Sequence, residues 1–242
     1  MRRSTALLVV AVLAGLLWTS RSNPTDPAAA DAAPAAAPPP AAAVFALDTV
    51  VFDAGRCADS GYLCEGLAAE GESRAIRWPD GTPGLSVRVP LPEGVDPAVA
   101  DELQRQAAAG IREWQGRPLP LTLLPPAARD QTADVEVHWV RSLTDDRVGQ
   151  AAVRWRVGPE GAELAVLDFV LATHRPDGTP LDPHRLRLTA AHEMGHVLGL
   201  PHSDHEDDVM YTFNTATRLT FRDFRTLEVL YSLPAGALVL TR

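Results

Sequence analysis

The sequence predicts an α/β sandwich around one mixed sheet, an α/β (α+β) fold. Three observations point there. Segments with strand and helix periodicity follow one another as strand, helix, four strands, helix, loop, helix. Asp-Pro pairs at 96–97 and 182–183 mark two helix starts, each a capping aspartate followed by a first-turn proline. A Gly-Pro-Glu-Gly run at 158–161 joins the last two strand candidates.

The main domain is expected to begin near Ile76. Leu85-Ser86-Val87-Arg88-Val89 alternates apolar with polar, which predicts the first strand. Val99, Leu103, Ala107, Ile111 and Trp114 recur at helical spacing up to Gly116 and Pro118. Leu119–Leu124 fits a second strand and Ala133–Val140 a third, with Val135, Val137 and Trp139 alternating with Glu136 and His138. Gly149–Val157 and Ala162–Thr173 complete the set. The next helix runs from Asp182-Pro183 to Leu198 and ends at Gly199. The last starts at Thr220-x-x-Asp223, close to a capping box although such a box usually has Glu or Gln in its fourth place, and Pro234 stops it.

The N-terminus reads differently. Arg2 and Arg3 precede an apolar run from Ala6 to Trp18, too short for a comfortable membrane span but right for a signal-peptide core. No clear small-x-small cleavage site follows, so residues 1–22 are expected to be a signal peptide or an N-terminal membrane anchor. Residues 23–43 are nearly all Ala and Pro, a composition that buries no core and predicts a disordered linker. Residues 44–75 then form an N-terminal extension, and 76–242 the main domain. The expected location is secreted or extracytoplasmic. Cys57 and Cys64 are the only cysteines, and in an exported chain such a close pair is expected to form a disulfide. A net charge of −9 argues against a nucleic-acid binder, which needs a basic face.

The chemistry concentrates in residues 192–202, His-Glu-Met-Gly-His-Val-Leu-Gly-Leu-Pro-His. On a helix His192 and His196 stand on one face, one turn apart. Both rings can reach one ion, at about 2.0–2.1 Å for a zinc–nitrogen bond. Glu193 lies about 100° further round, beside the ion rather than on it, placed to take a proton from water. Gly199 lets the chain turn back, so that His202 can return as third ligand. Three neutral ligands leave a position open, as catalytic zinc sites do. The alternative is a surface helix with scattered histidines. It is weakened because three of only seven histidines fall in this window.

The window resembles the extended zinc signature of the metzincin metalloproteases. Met210, eight residues after His202 in Asp208-Val209-Met210-Tyr211, resembles their Met-turn. Ser203 directly after the third histidine and the Met-Tyr pair resemble the matrixin branch. The resemblance covers Ile76 to Pro234. It implies a mixed, twisted five-stranded sheet with an antiparallel edge strand, an active-site helix and a C-terminal helix. It implies one catalytic zinc ion on His192, His196 and His202, with Met210 as an apolar floor. The implied activity is zinc-dependent endopeptidase action on a protein or peptide substrate, with Glu193 activating a water held at the ion. The substrate is expected to lie as an added strand along Gly149–Val157. The expected state is a monomer.

Several residues depart from that pattern or have two readings. Thr212 stands where matrixins usually have proline, so specificity does not transfer. Arg141–Gln150 is short and has no histidine, and His138, His174 and Asp168 do not make a second zinc site. Ca²⁺ has only Asp145 and Asp146 to recommend it, and solvated loop acids explain them as well. His205 and His184 are expected at the surface. The acidic run 204–208 either solvates its loop or strengthens the histidine ligands. The segment around Cys57 matches the latency segment of matrixin zymogens poorly, and pairing with Cys64 is simpler. Two rival functions remain: a zinc-containing binding module without turnover, and a hydrolase of cell-wall peptides.

Overall fold

The computed structural model describes residues 48–128, 130–144, 147–158, 161–213 and 215–242. The signal or anchor segment and the Ala/Pro linker lie outside them, as do Asp145 and Asp146. Among the described residues no helix is long and apolar enough to cross a membrane.

Strands β2 (Leu85–Arg88), β3 (Leu121–Leu124) and β4 (Val135–Glu136) form one parallel sheet in the order β3-β2-β4. Strands β5 (His138–Val140), β6 (Gly149–Gly158) and β7 (Gly161–Ala172) form another in the order β5-β7-β6. There β5 is parallel to β7, and β6 is its antiparallel partner at the edge. The single strand expected over Ala133–Val140 is therefore two short ones. Its first half pairs with β2 and its second with β7, and Val137 between them donates its N–H to Arg88 O at 2.9 Å. Alternation in the sequence marks an extended chain but not a change of partner. Followed through that residue, the order is five strands with only β6 antiparallel, the mixed sheet that the resemblance implied.

Helix α3 (Pro97–Arg112) is capped by Asp96, whose carboxylate accepts from Ala98 N–H at 2.9 Å. Helix α4 (Pro183–Val197) is capped in the same way by Asp182, through His184 N–H. Trp114, fully buried just past α3, donates its indole N–H to Ala191 O of α4 at 2.8 Å. Its ring meets Phe224 of helix α5 (Phe221–Ser232) edge to face at 5.9 Å. Thr220 and Asp223 do form a reciprocal capping box, so aspartate serves where glutamate is usual.

The described part of the extension, from residue 48 on, belongs to the same compact unit as the main domain. Strand β1 (Thr49–Phe52) pairs in parallel with β8 (Leu238–Thr241), and neither strand stood out in the sequence, since three apolar residues and a threonine without alternation fit a helix as well. Helices α1 (Ala54–Ala58) and α2 (Leu63–Glu70) follow, joined by a disulfide between Cys57 and Cys64. Phe52, Tyr62, Leu63 and Leu67 enter the main core.

Candidate metal centre

Helix α4 is buried over most of its length, because α3 and the sheet pack against it on different sides. Its C-terminus is held by donors that satisfy its last carbonyls: Trp78 Nε1–H reaches Val197 O at 2.9 Å, and Tyr231 O–H reaches Leu198 O at 3.1 Å. The chain leaves the helix at Gly199 with φ of 97°, and an added Cβ there would lie 2.1 Å from Ile76 O. Only glycine fits both conditions. The turn that follows carries His202 back over the end of the helix.

One candidate ligand nitrogen from each of His192, His196 and His202 lies within 4.8 Å of the others. His192 Nε2 and His196 Nε2 are 3.2 Å apart. Two ligands at ordinary zinc distances with a tetrahedral angle between them stand about 3.3 Å apart, so the pair fits one ion. The other ring nitrogens are committed. His192 Nδ1 is 2.6 Å from Val209 O, His196 Nδ1 is 3.0 Å from Leu200 O, and His202 Nδ1 is 3.0 Å from Glu70 Oε1. Carbonyls and carboxylates only accept, so each Nδ1 carries the hydrogen and each Nε2 keeps its lone pair. Neutral imidazoles held with lone pairs facing at this distance repel unless a cation lies between them. The donor set therefore suits zinc. Burial pushes the His192 pKa down to about 4 and holds His196 well below its ordinary value, which keeps both rings neutral.

Glu193 is buried beside this group. A Cβ added to Gly149, at the start of β6, would lie 2.9 Å from Glu193 Oε1 and 2.4 Å from Thr189 Cγ2, so the edge strand presses directly on the carboxylate. Burial raises the Glu193 pKa to about 7, opposed by a hydrogen bond from Ala151 N–H and by the charge of Arg147. A dication among the imidazoles would draw it down again.

Met210 is fully buried under the site. A Cβ added to Gly195 would lie 2.2 Å from Met210 Sδ, so the glycine between the first two histidines makes room for the sulfur. The turn bearing Met210 is pinned by Asp223, which is fully buried and accepts from Val209 N–H at 3.1 Å, Met210 N–H at 3.4 Å, Thr220 N–H at 2.7 Å and Tyr62 O–H at 3.1 Å. Since Val209 O holds the His192 ring, Asp223 reaches the site through one peptide unit.

The acidic run does not hold the histidine rings. Asp208 is buried and accepts from Ser203 O–H, Thr220 O–H and Arg222, while Asp204 pairs with Arg222 at 2.7 Å. The ring partners are two backbone carbonyls and Glu70. His205 is exposed near Asp207, and His184 is exposed in the first turn of α4. Neither joins the cluster, and among the described residues His192, His196 and His202 are the one group placed to share a metal. Cys57 and Cys64 are joined to each other, so neither offers a thiolate to the site.

Sequence reasoning read Asp223 as a helix cap only and did not single out Glu70. Glu70 lies 132 residues before His202 and carries no local signal.

Comparison with curated proteins finds no match to this chain. The Matrixin family model matches residues 150–232, the segment from the edge strand through the three histidines and Met210 to the end of α5. Joined to the geometry of those histidines, that match over about a third of the chain supports a zinc metallopeptidase with a matrixin-like segment at residues 150–232.

Proposed function

We propose that the chain is an exported endopeptidase, cutting internal bonds of protein or peptide substrates with Glu193 as proton carrier beside one zinc ion on His192, His196 and His202. The observation that supports this most is the convergence of those ligand nitrogens within 4.8 Å, every Nδ1 being already engaged elsewhere. A zinc ion there supplies a Lewis acid that acidifies water and polarises a carbonyl. The three rings, each oriented through its Nδ1, leave a fourth position free for the reactants. The Glu193 carboxylate accepts the proton of the attacking water and passes it to the nitrogen of the leaving amine. Met210 closes the floor of the site with an apolar surface.

Among the described residues β6 pairs with β7 alone, so its other edge is open to a substrate strand. Peptide N–H and C=O groups along that edge would hold an extended substrate at the level of Glu193. Arg2, Arg3 and the apolar run to Trp18 support export, and the disulfide suits an oxidising compartment.

The test is cleavage mapping of casein and a peptide library by the purified full chain. Internal cuts are expected, lost on treatment with a chelator and restored by one equivalent of zinc. Zinc-loaded protein that leaves every substrate intact would overturn the endopeptidase reading and favour a binding module.

A further inference from the structure

We propose that Glu70, from the N-terminal extension, is a positioning residue of the metal centre that orients His202 and gives it an anionic partner. The inference rests on the reading that the three histidines hold zinc.

His202 is the ligand with the weakest support of its own. It sits on a loop beyond the end of α4, and its side chain is 37% exposed, whereas His192 and His196 are fixed on a buried helix. One oxygen of Glu70 supplies what the loop lacks. Oε1 accepts from His202 backbone N–H at 2.9 Å and from its Nδ1–H at 3.0 Å. The first bond fixes the loop and the second the ring. Together they aim Nε2 at the other two imidazoles.

Helix α2 is built to lie here. Gly66 is one turn before Glu70, on the same face. A Cβ at Gly66 would lie 2.6 Å from His202 O and 2.7 Å from Pro201 Cγ, so the helix backbone rests on the ligand loop itself. Helix α2 is anchored by further contacts. Leu63, Cys64 and Leu67 are buried, Cys64 is bonded to Cys57, and Tyr62 binds Thr226 Oγ1 and Asp223 of α5. A glycine that permits contact and a carboxylate that makes two hydrogen bonds are independent features of one docking face.

Glu70 also differs in kind from the other two ring partners. Val209 O and Leu200 O are neutral, whereas a carboxylate draws the Nδ1 hydrogen more strongly and makes Nε2 a better donor to a cation. The N-terminal extension thus completes the zinc site rather than decorating the domain.

The experiment compares the full chain with Glu70→Gln and Glu70→Ala. Zinc affinity is measured by competition with a chelator of known affinity, thermal midpoints are taken on the metal-free proteins, and visible spectra on the cobalt-substituted forms. Wild type is expected to bind one zinc. Glu70→Gln keeps an acceptor but loses the charge, and should weaken zinc several-fold. Glu70→Ala should weaken it about 10–100-fold and change the cobalt spectrum. The metal-free midpoints should stay within about 3 °C of one another, which a merely structural residue would not allow. If wild type binds one zinc and Glu70→Ala binds it equally tightly with an unchanged spectrum, or loses affinity only along with metal-free stability, the role of Glu70 is overturned alone. A wild-type chain that takes up no zinc overturns the three-histidine reading, and this inference with it.

Discussion

Glu193→Gln is expected to lower kcat about 10²–10⁴-fold while one zinc stays bound and KM changes little. The substitution keeps the size and one oxygen of the side chain, so the contact with Gly149 and acceptance from Ala151 N–H can persist. What it removes is a group able to take a proton from water and return it to the departing amine. None of the three imidazoles can substitute, because each Nδ1 is bonded to Val209 O, Leu200 O or Glu70 and each Nε2 faces the metal position. The measurement is steady-state cleavage of a peptide identified by mapping, with zinc content determined on the same preparation. A glutamine variant that turns over within a few-fold of wild type would remove Glu193 from the mechanism.

Asp223→Ala is expected to destabilise the fold by about 3–5 kcal/mol, read from chemical denaturation of the metal-free protein. The carboxylate is fully buried and receives hydrogen bonds from Val209, Met210, Thr220 and Tyr62. Truncation leaves those donors without a partner in the interior, and it also dissolves the capping box of α5. Zinc affinity should fall as well, because the Val209 carbonyl that orients His192 belongs to the released turn. Asparagine is not a mild alternative, since its NH₂ would face N–H donors. Stability within about 1 kcal/mol of wild type would show that the turn is held by other means.

The site is legible in the sequence where its parts are local. His192, Glu193 and His196 lie within five residues on one helix, Gly199 announces the reversal, and the fixed interval to His202 and Met210 carries the resemblance. The strands between Leu85 and Ala172 and the two Asp-Pro helix starts are legible for the same reason, since periodicity and caps are short-range signals. What could not be read is what depends on distant pairing. The contact of Glu70 with His202 spans 132 residues and that of Tyr62 with Asp223 spans 161. The carbonyls of Val209 and Leu200 serve as ring partners through backbone atoms that every residue has. The β1–β8 pair unites the two ends of the described chain, which no local pattern reveals. For this reason the residues before Ile76 read as an appendage, although three of them, Tyr62, Gly66 and Glu70, touch the Met-turn anchor or the third histidine.

X-ray absorption at the zinc edge of the purified full chain bears most directly on the idea that His192, His196 and His202 share one metal. One zinc per chain is expected, with three imidazole nitrogens at about 2.0–2.1 Å and no sulfur neighbour, and with an outer-shell pattern that loses one imidazole in His202→Ala. Absence of bound zinc, or a coordination shell that is the same in His202→Ala as in wild type, would contradict it.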